Sequence, residues 1–295
     1  MTSSPVLPRI VAKSVVLGTD FSPASERALP YALAMAQRWH VPLIFAHVVV
    51  RPTVAQQPGV PSLKDEGGKQ QFRSVALERL ARLSSPDAVS SLAHEAVIGS
   101  GEVWSGLSQI VRERDAGLLV LGTRGLTGVK KLMMGSTAED VLRSTPCPVM
   151  IVGPNVDLRA STRFERILFA TNLGNASLHL LHYAAAIARE DEATLTILHV
   201  APRAADKAGR DELRQRNAAR LAALLPSGNE LSGRAHLVVE FGTAAEEIVH
   251  KAEAEQARLI VLGAHPAGRS STFLSSTLHY VLSHARCPVL ASCGT

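Results

Sequence analysis

Short apolar runs alternate with longer stretches rich in Ala, Leu and charged residues along nearly the whole chain. The runs at 15–18, 43–49, 94–98, 118–121 and 149–152 are largely β-branched or aliphatic, the pattern of strands covered on both faces. Between them, 24–38 and 67–83 carry apolar residues at helical spacing. "SPAS" at Ser22 supplies an N-cap with proline in the first turn, so a helix is expected directly after the first strand. Strands alternating with helices predict an α/β fold with a parallel sheet between helical layers. The proline-bearing stretch 51–65 is expected to be a loop, and 153–163 a linker.

The pattern is written twice. Residues 14–49 lie over 166–201 without a gap at an offset of 152, which superposes Thr19 on Thr171, Tyr31-Ala32 on Tyr183-Ala184 and His47-Val48 on His199-Val200. Further on, Gly101 falls on Gly242, "LVLG" at Leu119 on "IVLG" at Ile260, and "CPV" at Cys147 on "CPV" at Cys287. The shortening offset places deletions in the second copy, chiefly after its second strand. Two domains are therefore expected, 1–153 and 160–295, each an open Rossmann-like sheet of five parallel strands with helices on both faces.

In such sheets ligands bind beyond the carboxyl ends of the strands, at the topological switch point. That brings into one crevice the turn after strand one (Thr19-Asp20), the end of strand two (His47-Val48) and the loop "GTRGLTGVKKLMMGST" from Gly122 to Thr137. Glycines where a strand passes into a helix admit close approach of main-chain N–H groups to an anion, commonly phosphate. The carboxylate of Asp20 can accept hydrogen bonds from ribose or base donors. A nucleotide suits both features.

Familiar nucleotide motifs are absent: there is no Gly-x-x-x-x-Gly-Lys-Ser/Thr, and "GTDFSPAS" stands where a dinucleotide fingerprint would follow strand one. The Ser-Gly-Gly and His-x-Gly-His runs of related pyrophosphatases and adenylyl transferases are missing too. The chain instead resembles the universal stress protein family in its tandem form. The family's Gly-x-x-Gly, nine residues, Gly-Ser/Thr signature stands complete at Gly122, Gly125 and Gly135-Ser136, with Asp20 after strand one and "HV" closing strand two. The resemblance implies that Thr19 and Asp20 meet the adenosine moiety and that the Val48 main chain reads the adenine edge. Gly122, Gly125, Gly135 and Ser136 would wrap ribose and phosphates, assisted by Thr137. It implies ATP, with or without Mg²⁺, in a stress-response or signalling role without rapid turnover. An ATPase or phosphotransferase using the same pocket is the alternative. It also implies that the last strands of the two copies pair, making one chain a pseudo-dimer, and that tandem chains form a homodimer.

The second copy departs from the signature. Asp20 becomes Asn172, Gly125 becomes Pro266, and Gly135-Ser136 becomes Ser275-Ser276, so ATP is expected in the first domain alone.

Charge and composition narrow the picture further. The net charge of +5, from 31 basic and 26 acidic residues, is interspersed, and aromatics make up 4%, so nucleic acid is not expected. No apolar run reaches the roughly 18 residues of a membrane span, and "MTSSPVLPRIVAKS" has no apolar leader core. Three sparse cysteines suit reduced thiols and a cytoplasmic location, with Cys147 and Cys287 as small core residues. His179, His182, His279 and His284 lack carboxylate or thiol partners at metal-binding spacing and are expected to pack or face solvent. His47 and His199, inside apolar strands, are expected to be hydrogen-bonded core histidines.

Overall fold

A computed structural model describes residues 10–50, 66–85, 89, 91–123, 136–174, 176–203, 206–225, 231, 233–263 and 276–293. Gly125, Gly135, Lys130, Lys131, Pro266 and Ser275 lie outside the described residues, as do 51–65. The described residues between 12 and 149 form one compact unit, and those between 150 and 293 another.

In the first unit the order along the chain is β1 (Ser14–Gly18), α1 (Pro23–Glu26), α2 (Leu29–Trp39), β2 (Leu43–Val49), α3 (Glu66–Ser84), β3 (His94–Ser100), α4 (Val103–Glu113), β4 (Ala116–Gly122) and α5 (Ser136–Ser144). Its strands lie in the order β3-β2-β1-β4, all parallel, with Gly18 level with Ala46 on one side and Leu121 on the other. Val15, Val16, Leu43, Phe45, Leu118, Leu119 and Val120 have no solvent exposure. Each such aliphatic side chain contributes about 1.5–3 kcal/mol of burial, which explains why these runs lack polar alternation.

The second unit begins with β5 (Val149–Val152), followed by β6 (Arg166–Ala170), α6 (Ala176–Glu190), β7 (Thr194–Ala201), α7 (Lys207–Ala222), β8 (Ala235–Phe241), α8 (Ala244–Ala254), β9 (Leu259–Gly263), α9 (Ser276–His284) and β10 (Val289–Ser292). The strand order is β5-β10-β9-β6-β7-β8, so the closing strands of the two copies, β5 and β10, are hydrogen-bonded neighbours.

Backbone conformation repeats with the sequence. Phe21 (φ 59°) matches Leu173 (φ 61°), and His40 matches Glu192, both at φ 53°. After the deletion Asp115 (φ 44°) matches Gln256 (φ 51°), and Gly101 (φ 107°) matches Gly242 (φ 156°), each pair at the shortened offset of 141. Left-handed non-glycine residues are uncommon, so the three matched non-glycine pairs show duplication of the backbone path itself.

The expected helix over 24–38 is in fact two, α1 and α2, separated at Arg27–Ala28. Pro30 has no N–H to donate back into α1, so the helix restarts with proline in its first turn. Ser22 caps α1 as expected, its hydroxyl accepting from the Ser25 N–H at 3.3 Å.

Cys147 and Cys287 are buried, and loss of solvation pushes each thiol up to about 12. Since only a thiolate attacks disulfide reagents, a thiol assay of the native chain at pH 8 should score Cys293 quickly and leave the other two until denaturant is added. Rapid reaction of all three would contradict this packing.

Candidate functional site

The crevice is built where β1 stops. The N–H of Thr19 still pairs with the Ala46 carbonyl at 2.9 Å, and then the chain turns away. A relay of short bonds holds that turn. The Phe21 N–H donates to the Thr19 hydroxyl (2.9 Å), which lies 3.0 Å from the Ser25 hydroxyl, which in turn donates to the Ser22 carbonyl (2.9 Å). Thr19 is buried, and its side chain serves to shape the turn. Asp20 is exposed, and its Oδ1 accepts from the Ser22 N–H at 2.9 Å.

His47 fastens this turn to β2. Its Nδ1–H donates to the Thr19 carbonyl at 2.8 Å, and its ring lies 4.5 Å from that of Phe21. The guanidinium of Arg79, on α3, sits 4.6 Å above the same Phe21 ring. The second copy repeats the arrangement: His199 donates to the Thr171 carbonyl at 3.0 Å, and Arg220 of α7 reaches the Leu173 carbonyl at 3.4 Å. Both histidines are thus hydrogen-bonded structural residues, as expected, but half-buried rather than in the core. The arginine that steadies each turn carries no sequence motif; only the matched offset of the two helices could have pointed to it.

Strand alternation fixes what the crevice presents. Ala46 accepts from Thr19, on the β1 side, while Val49 accepts from Gly101, on the β3 side. The main chain of Val48 therefore faces the β1 side, two residues beyond Ala46, the last β2 residue level with β1. Its side chain points elsewhere and is buried: a Cβ on Gly106 of α4 would lie 2.8 Å from it.

On the other flank, the Leu119 N–H donates away from β1, to Pro148, so by alternation Gly122 turns its main chain back toward the space beyond Gly18. Val48 and Gly122 thus border one gap from opposite sides with main-chain groups. Gly122 has a structural reason as well. A Cβ there would stand 1.9 Å from the Ala24 carbonyl oxygen, so α1 crosses the end of β4 only because no side chain is present. Ser136 opens α5, and Thr137 lies in its first turn, which orients the amide groups of a helix start. Of the sequence-derived set, Thr19, Asp20, Val48 and Gly122 are gathered at the carboxyl ends of β1, β2 and β4. Gly125 and Gly135 lie outside the described residues.

At the matching turn of the second copy, the Asn172 Oδ1 accepts from the Gly174 N–H at 2.9 Å, the bond that Asp20 makes to Ser22. Asparagine keeps the turn. It replaces the second acidic oxygen with an amide donor.

His179 lies with its ring 5.1 Å from Tyr183, and burial, then the nearby His182, lowers its pKa. No group of three or more His, Cys, Asp or Glu placed to hold a metal occurs among the described residues, and none of their helices is long and apolar enough to cross a membrane.

These observations define a duplicated open α/β fold with main-chain groups bordering the crevice at the switch point of its first repeat. The universal stress protein family model matches residues 12–153 and again 163–292, and the chain belongs to that family. It is 30% identical over 142 residues to a universal stress protein of Thermus aquaticus, covering 48% of this chain and 98% of that one. A universal stress protein of Methanocaldococcus jannaschii is 28% identical over 151 residues, covering 48% of this chain and 81% of its own. Each relative accounts for about one copy of the duplication. A crystal structure of a universal stress protein from Archaeoglobus fulgidus shares the fold at a TM-score of 0.73 and 22% identity, over 96% of this chain and all of that one.

Proposed function

We propose that the first repeat binds ATP, with or without Mg²⁺, and that the chain serves a stress-response or signalling role in the cytoplasm without rapid turnover. The observation that carries this reading is the gap beyond β1, bordered by outward-turned main-chain groups of Val48 and Gly122 with the carboxylate of Asp20 at its mouth. Main-chain groups of a strand end offer a donor and an acceptor side by side, which suits the edge of adenine. Asp20 accepts from the ribose, Thr19 holds the turn that presents it, and Gly125, Gly135, Ser136 and Thr137 complete the phosphate end through backbone N–H groups and the α5 start. A homodimer of tandem chains goes with this reading.

Two variants test the reading. Gly135→Glu sets a carboxylate and added bulk where phosphate should approach, and ATP affinity by calorimetry should fall at least about tenfold, 1.4 kcal/mol, with folding retained. Unchanged affinity would remove the loop from the site. Incubation with ATP and Mg²⁺ should release ADP far more slowly than about 1 s⁻¹, the lower end of ordinary enzyme turnover; faster release would make the protein an enzyme.

A further inference from the structure

The residue that follows Asp20 is braced from outside its own turn. Phe21 holds a φ of 59°, a conformation that a bulky side chain adopts only where its surroundings enforce it. Its N–H goes to the Thr19 hydroxyl at 2.9 Å, and the Thr19 carbonyl accepts from His47 at 2.8 Å. These bonds fix the chain on the β1 side of Asp20. On the other side stands the Phe21 ring, with the His47 ring 4.5 Å away and the Arg79 guanidinium 4.6 Å above it. A cation over an aromatic face is attracted by the ring's quadrupole. Return of Phe21 to an ordinary φ would swing the ring away from that cation, so the attraction opposes the return. Among the described residues no carboxylate pairs with Arg79; Glu78 beside it pairs with Arg82.

The second copy uses the same helix position in the same way. Arg220 matches Arg79 at the shortened offset of 141, and Leu173 matches Phe21 at 152. Leu173 too is left-handed, at φ 61°. Leucine has no ring for a cation, and there the arginine reaches the Leu173 carbonyl at 3.4 Å. The contacted atom differs between the copies, whereas the helix position and the residue it steadies do not. What has been kept is the bracing of the turn.

In the first repeat that turn presents Asp20. Its Oδ1 accepts from the Ser22 N–H at 2.9 Å, so the carboxylate is oriented by main chain on the far side of Phe21. A changed φ at Phe21 would carry the Ser22 N–H with it and re-aim the carboxylate, and hydrogen bonds weaken steeply with misalignment.

We propose that Arg79 is a positioning residue for nucleotide binding: through Phe21 it holds the turn from which Asp20 meets the ribose, an inference that rests on the ATP reading above. Arg79 acts at the ribose end, so its loss should tell equally on nucleoside and triphosphate.

Calorimetry of the full chain with ATP and with adenosine is the test. Arg79 is exposed on α3 and methionine is a good helix former, so Arg79→Met keeps the fold and the apolar stem while removing the cation. It should weaken both ligands by one factor, at least about threefold, and Arg79→Lys should restore both to within about twofold of the parent. Asp20→Asn combined with Arg79→Met should bind no more weakly than Asp20→Asn alone, because the arginine then has no carboxylate to aim. Arg220→Met, the matched change in the second repeat, should bind ATP as the parent does. Parent affinity in Arg79→Met, a larger loss for ATP than for adenosine, no recovery with lysine, a further loss in the Asp20→Asn background, or an equal loss in Arg220→Met would each overturn the proposal and leave the ATP site standing. A parent chain that binds neither ligand would overturn the ATP reading and this inference with it.

Discussion

Gly122→Val should lose about 3 kcal/mol of folding free energy, the upper part of the range for overpacked cores, and with it the shape of the crevice. The added Cβ would meet the Ala24 carbonyl oxygen at 1.9 Å, its carbon at 2.6 Å and the Ser25 Cα at 2.8 Å. All three are backbone atoms of α1, so no rotamer change relieves the clash. Moving α1 would break the Thr19–Ser25 hydroxyl contact and loosen the turn that carries Asp20. Gly101→Ala is the contrast. Nothing lies within 4 Å of a Cβ there, and only the φ of 107° opposes it. That variant should cost about 1 kcal/mol, as alanine does where φ is positive. Urea unfolding of the two variants checks the order. Equal stability of Gly122→Val and the parent would mean that α1 does not cross β4 as described.

Asp20→Asn should weaken ATP binding at least about tenfold while leaving stability nearly unchanged, because a hydrogen bond to a charged acceptor contributes about 1.5–3 kcal/mol. The stability half of this expectation comes from the second copy. Asn172 already makes the turn bond at 2.9 Å that Asp20 makes, so the substitution keeps the loop and removes only the second acidic oxygen. The reciprocal change, Asn172→Asp, should not create a second ATP site, since Pro266 and Ser275 also interrupt that copy's signature. Calorimetry on both variants, with urea unfolding alongside, separates a ligand contact from a structural one. Full ATP affinity in Asp20→Asn would take the carboxylate out of the site.

Much of this was legible in the sequence because the duplication supplies an internal control. Apolar runs fix β1, β4 and β5 because those strands are covered on both faces, and the Ser22 cap follows from side-chain chemistry alone. The break between α1 and α2 was less visible, since Pro30 sits inside apolar spacing that continues across it. The left-handed turn residues Phe21 and Leu173 have no local signature. Bulky residues disfavour that conformation, and tertiary contacts with His47, Arg79 and Arg220 hold it. The role of Gly122 was half legible. Its place at a strand end suggested backbone approach by a ligand, whereas the approaching backbone is that of α1, a contact between segments far apart in sequence.

The central claim is one nucleotide per chain, held in the first repeat between Asp20, Val48 and the 122–137 loop. Titration calorimetry of the full chain with ATP tests it most directly. The account predicts a stoichiometry of about one, with affinity lowered at least about tenfold in Gly135→Glu, whose added carboxylate repels phosphate. Two equivalent ATP molecules per chain, or none, would contradict it.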